Sequence, residues 1–545
     1  IQREHNNYLS SEAIKDVAHY LETTESRVFG VASYYTMFNL KPVGTYHLQV
    51  DVNVPGFLTG ADDILKHLEK KLAIKAGQTT SDGLFTLTKV QDLGSCGTCP
   101  VIQVNDIYYE HMTLEKTDML IDSLCKGTMP EPDKSSFYFS ECNILLKNLG
   151  RENSRHIKTY KENGGYKALE KAMSMKPSDI ISTVKEAMVR GRGGAGFPAG
   201  LKWSFLPKND RRPVYLICNA DEGEPGTFKD RQIMEYDPHL LIEGIAISAY
   251  GTGAKKAFIY IRGEFRWIAE VLEEAIKEAE KEGYLHYTDI IVYKGAGSYV
   301  CGDETALMES LEGKRGYPRR KPPFPAGKGL YGCPTIINNV ETLAIIPFII
   351  EHGAEEFRKI GTAGNFGPKL YGVSGHINRP GMYEFPLGTV LEKILDAAGG
   401  VKGKLKAVIV GGLSVPILRA DEIRGLKMDY DSCLKAGTML GSGGIMVIND
   451  TVSIPELALR TIEFYAHESC GQCVPCREGS YAIKDLLGKI LHKKGTDADI
   501  ELVLKLCRNI KGRTICPTGD AFSMPVEAMI LKFRNEFDSL VSREW

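Results

Sequence analysis

The chain has 545 residues, 43% of them hydrophobic and 25% charged, with a formal net charge of −2. Such a length calls for several domains rather than one core. So small a net charge gives no basis for nucleic acid or an anionic membrane surface as a partner. No apolar run reaches the roughly 18–20 residues that a membrane span needs; 340–351 comes nearest and is interrupted by Pro347. No signal-peptide pattern follows Ile1, which predicts a natural start further upstream. The cysteines do not make a disulfide scaffold in a chain this long. Cys470, Cys473 and Cys476 form one tight run, which points to metal ligation in a reducing compartment.

Residues 10–40 read as helical, with Ile14, Val17, Leu21, Val28 and Val31 at spacings that fit one helix face. A strand at 46–52, a helix at 61–73, strands at 84–91 and 100–104 and a helix at 114–124 follow. That order predicts a small α/β domain of thioredoxin-like shape within 1–125. Two prolines, Gly and Ser make 126–136 a linker. Helices are expected at 164–174 and 177–190. Candidate strands at 214–218, 256–261 and 289–293 then alternate with helices at 238–249 and 265–282. This is the pattern of a parallel sheet with helices on both faces. The Pro-rich stretch 317–325 must be irregular. Short strands and many glycines mark 366–450, and from about 455 the pattern is helical. The fold class is multidomain α/β.

The strongest chemical signal is Cys470-x2-Cys473-x2-Cys476 with a more distant Cys516 beside Pro517. A [4Fe–4S] cluster needs four thiolates, and such a turn brings three to adjacent corners of the cube. Gly471 suits a loop that wraps closely around sulfide. A four-cysteine structural zinc is the alternative, although zinc cages more often draw on two separated pairs. Cys507 rivals Cys516 by count, but its apolar, helical surroundings read as core.

In 190–203, RGRGGAGFPAGLKW, Gly191, Gly193 and Gly196 satisfy G-x-G-x-x-G. A helix rather than a strand precedes them, so this is not an ordinary dinucleotide turn. The glycines would let backbone N–H groups approach a phosphate or a flavin ring, and Lys202 would add a point charge. A tight surface turn is the plainer alternative. In 215–231 a strand ends in Asn219, Asp221 and Glu222, with Glu224 close behind. Open sheets bind ligands at such strand ends, although a charge run is often only a solvated loop. Segments 295–306, with Tyr299, Gly302, Asp303 and Glu304, and 322–342, with Phe324, Asn338 and Asn339, read singly as polar loops. A helix start after Asn339 could hold a phosphate.

Together, RGRGGAGFP, CNADEGEPG, YVCGDET, INNVET and ESCGQCVPCREG resemble the NADH- and FMN-binding subunit of complex I, the proton-pumping NADH:quinone oxidoreductase, from about 138 to 545. The resemblance implies a Rossmann-like domain binding FMN and NADH in one cavity (137–365) and a ubiquitin-like β-grasp domain (366–454). It also implies a C-terminal helical bundle (455–545) with one [4Fe–4S] cluster on Cys470, Cys473, Cys476 and Cys516. By the same likeness Gly191, Gly193, Gly194, Lys202, Asn219, Asp221, Tyr299, Gly302, Asp303, Ile337, Asn338 and Asn339 line the FMN. Phe197, Phe205, Glu222, Glu224, Glu304 and Phe324 would meet NADH, with Glu304 and Glu222 positioning nicotinamide and an aromatic ring stacked on adenine. A hydride would pass from NADH to the flavin, and single electrons would pass to the cluster. They would leave through the other hydrophilic iron–sulfur subunits, notably the large multi-cluster one, towards quinone. No side chain need act as acid or base. The implied place is cytoplasmic, peripheral on the inner face of the cell membrane.

The first 125 residues resemble the thioredoxin-like small subunit of the same complex, which holds a [2Fe–2S] cluster through C-x4-C and C-x3-C. The four positions here read Asp51, Gly56, Asp92 and Cys96. Cys99 adds a thiol, but no second pair has suitable spacing. The expectation is a domain that has lost its cluster and remains as scaffold, fused to the flavin subunit. Two other readings stand. One is the diaphorase subunit of an NAD-reducing hydrogenase or NAD-linked formate dehydrogenase, which shares the flavin domain. The other is a zinc-stabilised, non-catalytic scaffold, against which the glycine cradle, Lys202 and Glu304 all speak.

Overall fold

The computed structural model describes residues 2–5, 7–133 and 136–542. The helical pattern at the start resolves into two helices, Ser11–Tyr20 and Glu25–Ala32. The break falls at Thr24 because its hydroxyl accepts the Arg27 N–H and starts a new helix, as Ser10 does for the first. The chain then runs along the central domain, where the Tyr34 and Tyr35 hydroxyls donate to the carbonyls of Gly316 and Lys314.

The first sheet has Tyr46–Asp51 at its centre, parallel to Phe85–Val90 and antiparallel to Ile102–Val104. Ile102–Val104 turns at Asn105 into Ile107–Tyr109, a strand too short to show in the sequence pattern. Helices Ala61–Leu72 and Leu114–Cys125 cover this sheet through Ile64, Leu68, Leu120 and Leu124.

The central sheet is all parallel, in the order Thr335–Asn339, Tyr215–Ala220, Lys256–Ile261, Asp289–Lys294. The edge strand Thr335–Asn339 was not among the sequence candidates; it is five residues long and runs straight into the helix Val340–His352. That helix and Pro238–Thr252 are buried nearly all round, as their apolar composition requires. Pro347 sits inside Val340–His352 and removes the N–H that would bond the Leu343 carbonyl. The freed carbonyl packs against Gly244, where any Cβ would collide.

A six-stranded mixed sheet follows, in the order Leu418–Arg419, Leu405–Ile409, Gly444–Asn449, Pro368–Gly375, Gly381–Pro386, Phe137–Ser140. It packs on the helix Leu391–Ala397 through Ile394 and Leu395. Its outer strand, Phe137–Ser140, follows directly on the linker and pairs in parallel with Gly381–Pro386. Helices Ile454–Glu468, Val474–Leu491, Asp497–Ile510 and Thr518–Lys532 then pack in succession around Ile462, Ile483, Leu504 and Phe522. Among the described residues no helix is long and apolar enough to cross a membrane.

Candidate active site and cluster site

The carboxyl ends of the central strands converge on a cavity of about 280 Å³. Its wall carries Gly193, Asn219, Asp221, Glu222, Glu224, Tyr299, Gly302, Asp303 and Asn339, all expected from the sequence. The glycine segment is a loop between the helices Pro177–Glu186 and Ala199–Trp203, closed by a 2.9 Å bond from Gly191 N–H to the Phe197 carbonyl. A Cβ on Gly193 would stand 3.2 Å from the Asn339 Cβ, and Gly194 has φ +121°. The loop therefore needs glycine both for close approach and for conformation.

Several polar residues at these strand ends are held in place. Asn219 Nδ2 donates to the Gly302 carbonyl at 2.8 Å, and Trp203 Nε1 donates to Asn338 Oδ1 at 2.8 Å. Asp303 caps the helix Glu304–Leu311 by accepting the N–H groups of Thr305 and Ala306. Ile337 is a core side chain whose carbonyl accepts from Lys202 Nζ at 3.1 Å. One oxygen of Asp221, Oδ2, is buried in the protein without a hydrogen-bond partner, and burial pushes its carboxyl well above the usual range. An orphaned polar atom beside a glycine cradle fits a ligand with polar edges, such as a flavin.

Two expected NADH contacts, Glu222 at the nicotinamide and Glu224 at the ribose, have other partners here. Glu222 accepts the N–H groups of Asp230 and Arg231 at 2.8 and 3.0 Å, at the start of the helix Lys229–Tyr236. Burial, with the charge of Asp230 behind it, pushes its carboxyl up to about 7. Glu224 accepts from the Tyr299 hydroxyl at 2.8 Å and from Ser414 N–H at 2.7 Å. Glu304 lies outside this cavity, 3.8 Å from Lys202 Nζ, and the rings of Phe197, Phe205 and Phe324 are exposed. Phe197 and Phe205 have ring centroids 6.2 Å apart. Sequence reasoning missed Arg192, Thr227, Lys229, Asp230 and Ser442, which also line the cavity. Lys229 is buried among Asp230, Asn339 and Glu341; a lysine in a polar run gives no signal of that.

A larger hollow, about 580 Å³, lies beyond the wall formed by Asp221, Gly223 and Tyr299. It is lined by the segment 36–43 and the first sheet and contains none of the glycine cradle. The smaller cavity is therefore the flavin candidate.

Cys470, Cys473, Cys476 and Cys516 line one hollow, all as free thiols. Gly471, at φ +80°, turns the loop between the first two. Cys473 Sγ accepts from Ile515 N–H at 3.4 Å, and Cys516 and Cys476 meet the hydroxyls of Thr518 and Ser469 at 3.3 Å. Such contacts to sulfur tune a cluster. Among the described residues no three His, Cys, Asp or Glu side chains group as a site for a single metal ion. Cys507 is buried in the apolar core of its helix, away from this hollow. Val300 and Thr518 line both the flavin cavity and the thiol hollow.

In the thioredoxin-like sheet, Asp51, Asp92 and Cys96 are buried together. Asn53 Nδ2 donates to Asp51 Oδ2 at 3.1 Å, to Asp92 Oδ1 at 2.8 Å and to Cys96 Sγ at 3.5 Å. A Cβ on Gly56 would stand 2.6 Å from the Asp51 carbonyl oxygen. Position 56 thus has no room for a side chain of any kind.

The parallel sheet, the glycine cradle and the four-thiol hollow define a flavin- and iron–sulfur-binding oxidoreductase chain. The Nuo51 FMN-binding domain family matches 184–348, and the iron–sulfur binding region of NADH-ubiquinone oxidoreductase-F matches 456–540. The thioredoxin-like [2Fe-2S] ferredoxin family matches 1–125, and the SLBB domain matches 370–418. The second of the F subunits of NADH-quinone oxidoreductase in Rhizobium meliloti (strain 1021) is 50% identical over 406 residues, 72% of this chain and 96% of that one. The F subunit of the Aquifex aeolicus NADH-quinone oxidoreductase is 49% identical over 407 residues, 73% of this chain and 94% of its own. The crystal structure of an air-oxidised NAD+-reducing [NiFe]-hydrogenase superposes with a TM-score of 0.89 at 31% identity, covering 100% of this chain and 93% of that one. The chain belongs to the family of NADH-quinone oxidoreductase F subunits, here fused behind a thioredoxin-like domain.

Proposed function

We propose that the chain is the NADH-oxidising module of a complex I-type assembly, binding FMN in the 280 Å³ cavity and one [4Fe–4S] cluster on Cys470, Cys473, Cys476 and Cys516. The observation that carries this reading is the shared wall of Val300 and Thr518, which sets the two sites back to back. When bound, the flavin accepts a hydride from NADH and the cluster takes electrons one at a time towards a partner and quinone. The protein's own groups bind and orient. Gly191, Gly193 and Gly194 give backbone approach, and Lys202, Asn219, Asp221, Asn338 and Asn339 fix the flavin. Tyr299, Gly302 and Asp303 would line the flavin's cavity, and the exposed Phe197, Phe205 and Phe324 would offer stacking faces to NADH. Glu304 and Glu222 would set the nicotinamide end electrostatically, and Glu224 would suit the ribose. The division at 125, 137, 366 and 455 would give a thioredoxin-like domain, a linker, the flavin domain, a β-grasp domain and a helical bundle, with the strand Phe137–Ser140 joining the β-grasp sheet instead of the flavin domain.

The reading extends to the cluster-free state of the first domain. Gly56 leaves no room for a ligand, and the carboxylates of Asp51 and Asp92 share the Asn53 amide, an arrangement that does not suit a four-thiolate [2Fe–2S] site. The partner that takes electrons from the cluster would be the large multi-cluster hydrophilic subunit, which would hold this chain on the cytoplasmic side of the membrane. The deciding experiment is iron, zinc and flavin per chain on anaerobically purified protein. About four irons with one flavin are expected. About six irons would reject the cluster-free first domain, and zinc without flavin would reject the whole assignment.

A second reading has its own support: the hydrogenase chain aligns over all of this chain, first domain included, whereas the NADH-quinone oxidoreductase relatives align over 72–73% of it. Partners that co-purify separate the two, membrane-anchored quinone-reducing subunits against hydrogenase subunits.

A further inference from the structure

The loop from Asp221 to Thr227 forms one side of the flavin cavity and is gripped from three directions. The helix Lys229–Tyr236 holds Glu222 through two N–H groups. The mixed sheet holds Glu224 through Ser414 N–H, while Leu413 N–H donates to the Pro225 carbonyl at 3.1 Å. The third grip comes from Cys96 of the thioredoxin-like domain and from Arg262 at the end of the strand Lys256–Ile261. Gly226 N–H donates to Cys96 Sγ at 3.2 Å, and Arg262 Nη1 donates to the Glu222 carbonyl at 2.6 Å.

Arg262 is itself held by the first domain: its Nη1 donates to Asp92 Oδ2 at 2.7 Å and its Nη2 to the Asp92 carbonyl at 2.8 Å. The same Asp92 is tied through Asn53 to Asp51 and Cys96. Small residues let the domains approach this closely. A Cβ on Gly97 would stand 2.6 Å from the Phe228 ring, and one on Gly94 would stand 2.5 Å from the Phe265 ring. Two of the residues standing at the four cluster-ligand positions of the resembled small subunit thus reach the backbone of the flavin loop, Cys96 directly and Asp92 through Arg262.

We infer that the Asp51–Asn53–Asp92–Cys96 network is a positioning device for the flavin cavity, with Cys96 and Arg262 as positioning residues that fix the backbone of the 222–226 loop. This rests on the flavin reading of the cavity. The physical logic is that a ligand-facing loop carrying Glu222 and Glu224 gains nothing from rigidity in its side chains unless its backbone is also fixed. A buried thiol accepting an N–H, and a buried guanidinium locked by a carboxylate, supply that rigidity. Burial keeps the Cys96 thiol protonated, its acidity pushed further down by the neighbouring Asp92 and Asp51, so it acts here as a neutral acceptor.

The test uses the full chain with FMN and iron in place, in the variants Cys96→Ala, Cys96→Ser and Asp92→Asn. For each, FMN and iron per chain, the flavin midpoint potential, and kcat and KM for NADH with ferricyanide as acceptor are measured. Cys96→Ala is expected to keep its FMN and iron, to shift the flavin potential, and to lose kcat on the order of 5- to 10-fold, the worth of one hydrogen bond, with KM little changed. Cys96→Ser, which restores an acceptor, recovers most of the loss, and Asp92→Asn moves potential and kcat in the same direction as Cys96→Ala. The inference is overturned if Cys96→Ala leaves potential and kcat unchanged, if Ser rescues nothing, or if activity falls only in step with lost flavin and iron. A wild-type chain that binds no FMN overturns the flavin reading first, and this inference with it.

Discussion

The Lys202 ammonium stands 3.8 Å from one carboxylate oxygen of Glu304, and Lys321 donates to the other at 2.7 Å. Three segments, the helix Ala199–Trp203 after the glycine loop, the start of the helix Glu304–Leu311 and the Pro-rich stretch, meet in this pair of contacts. Burial alone would raise the Glu304 carboxyl, but the ammonium groups of Lys202 and Lys321 outweigh it and hold the carboxyl below its usual value. Burial lowers Lys202 despite Glu304 beside it. At neutral pH Glu304 is therefore an anion and no source of protons.

From this position Glu304 should act on the nucleotide and not on flavin retention. Glu304→Gln is expected to lower kcat/KM for NADH while FMN per chain stays at the wild-type level. Steady-state kinetics beside a flavin assay on the same preparation checks it. Equal loss of FMN and of NADH turnover would assign Glu304 to the flavin instead.

Phe205 is 56% exposed and packs against Phe197 without being part of the core. A large ring left in water is a natural stacking face. Phe205→Ala should raise KM for NADH about 2- to 12-fold, the range of one aromatic contact, and leave kcat and melting temperature alone. A fall in melting temperature with unchanged KM would mean that the ring serves packing.

Periodicity and strand-end chemistry made much of this legible. Three of the four central strands, the helices between them and the glycine cradle all follow from local pattern. The elements that were missed are those with no local signal. Thr335–Asn339 is an edge strand whose partner Tyr215–Ala220 lies far back in the chain, and Phe137–Ser140 becomes a strand only because Gly381–Pro386 offers its edge. The same holds in the site. Cys470 and Cys473 announce themselves by spacing, but Lys229 and Arg262 read as ordinary surface cations until folding buries them against Glu341 and Asp92. The geometry also shows Glu222 capping a helix, a use of a carboxylate that a strand-end motif does not distinguish from ligand binding.

The choice between Cys516 and Cys507 as fourth ligand is directly testable. Cys516 lines the hollow with the other three thiols, whereas Cys507 packs in the apolar core beneath. Cys516→Ser should lower iron per chain and alter or abolish the electron paramagnetic resonance of the reduced cluster. Cys507→Ser should leave both as in wild type and cost only a little stability. The reverse result would move the ligand assignment to Cys507.

Asp237 gives a pH prediction that does not depend on any cofactor. Its carboxyl is fully buried; one oxygen accepts from Asn148 Nδ2 at 2.8 Å and the other has no partner in the protein. Burial, more than any neighbour, pushes it up to about 7. The folded chain therefore keeps this proton to higher pH than the unfolded chain, which releases it near about 3.9. Stability from this group is fully present below the unfolded value and is lost as pH rises through the folded one. Glu222, raised to about 7, and Asp51, raised to about 8, act with the same sign. The melting temperature should accordingly fall between about pH 5 and about pH 8, and Asp237→Asn, which cannot ionise, should flatten that fall without removing it. Scanning calorimetry of both proteins across the range decides the matter: parallel curves would mean that Asp237 is charged in the folded state and that an unseen partner compensates it.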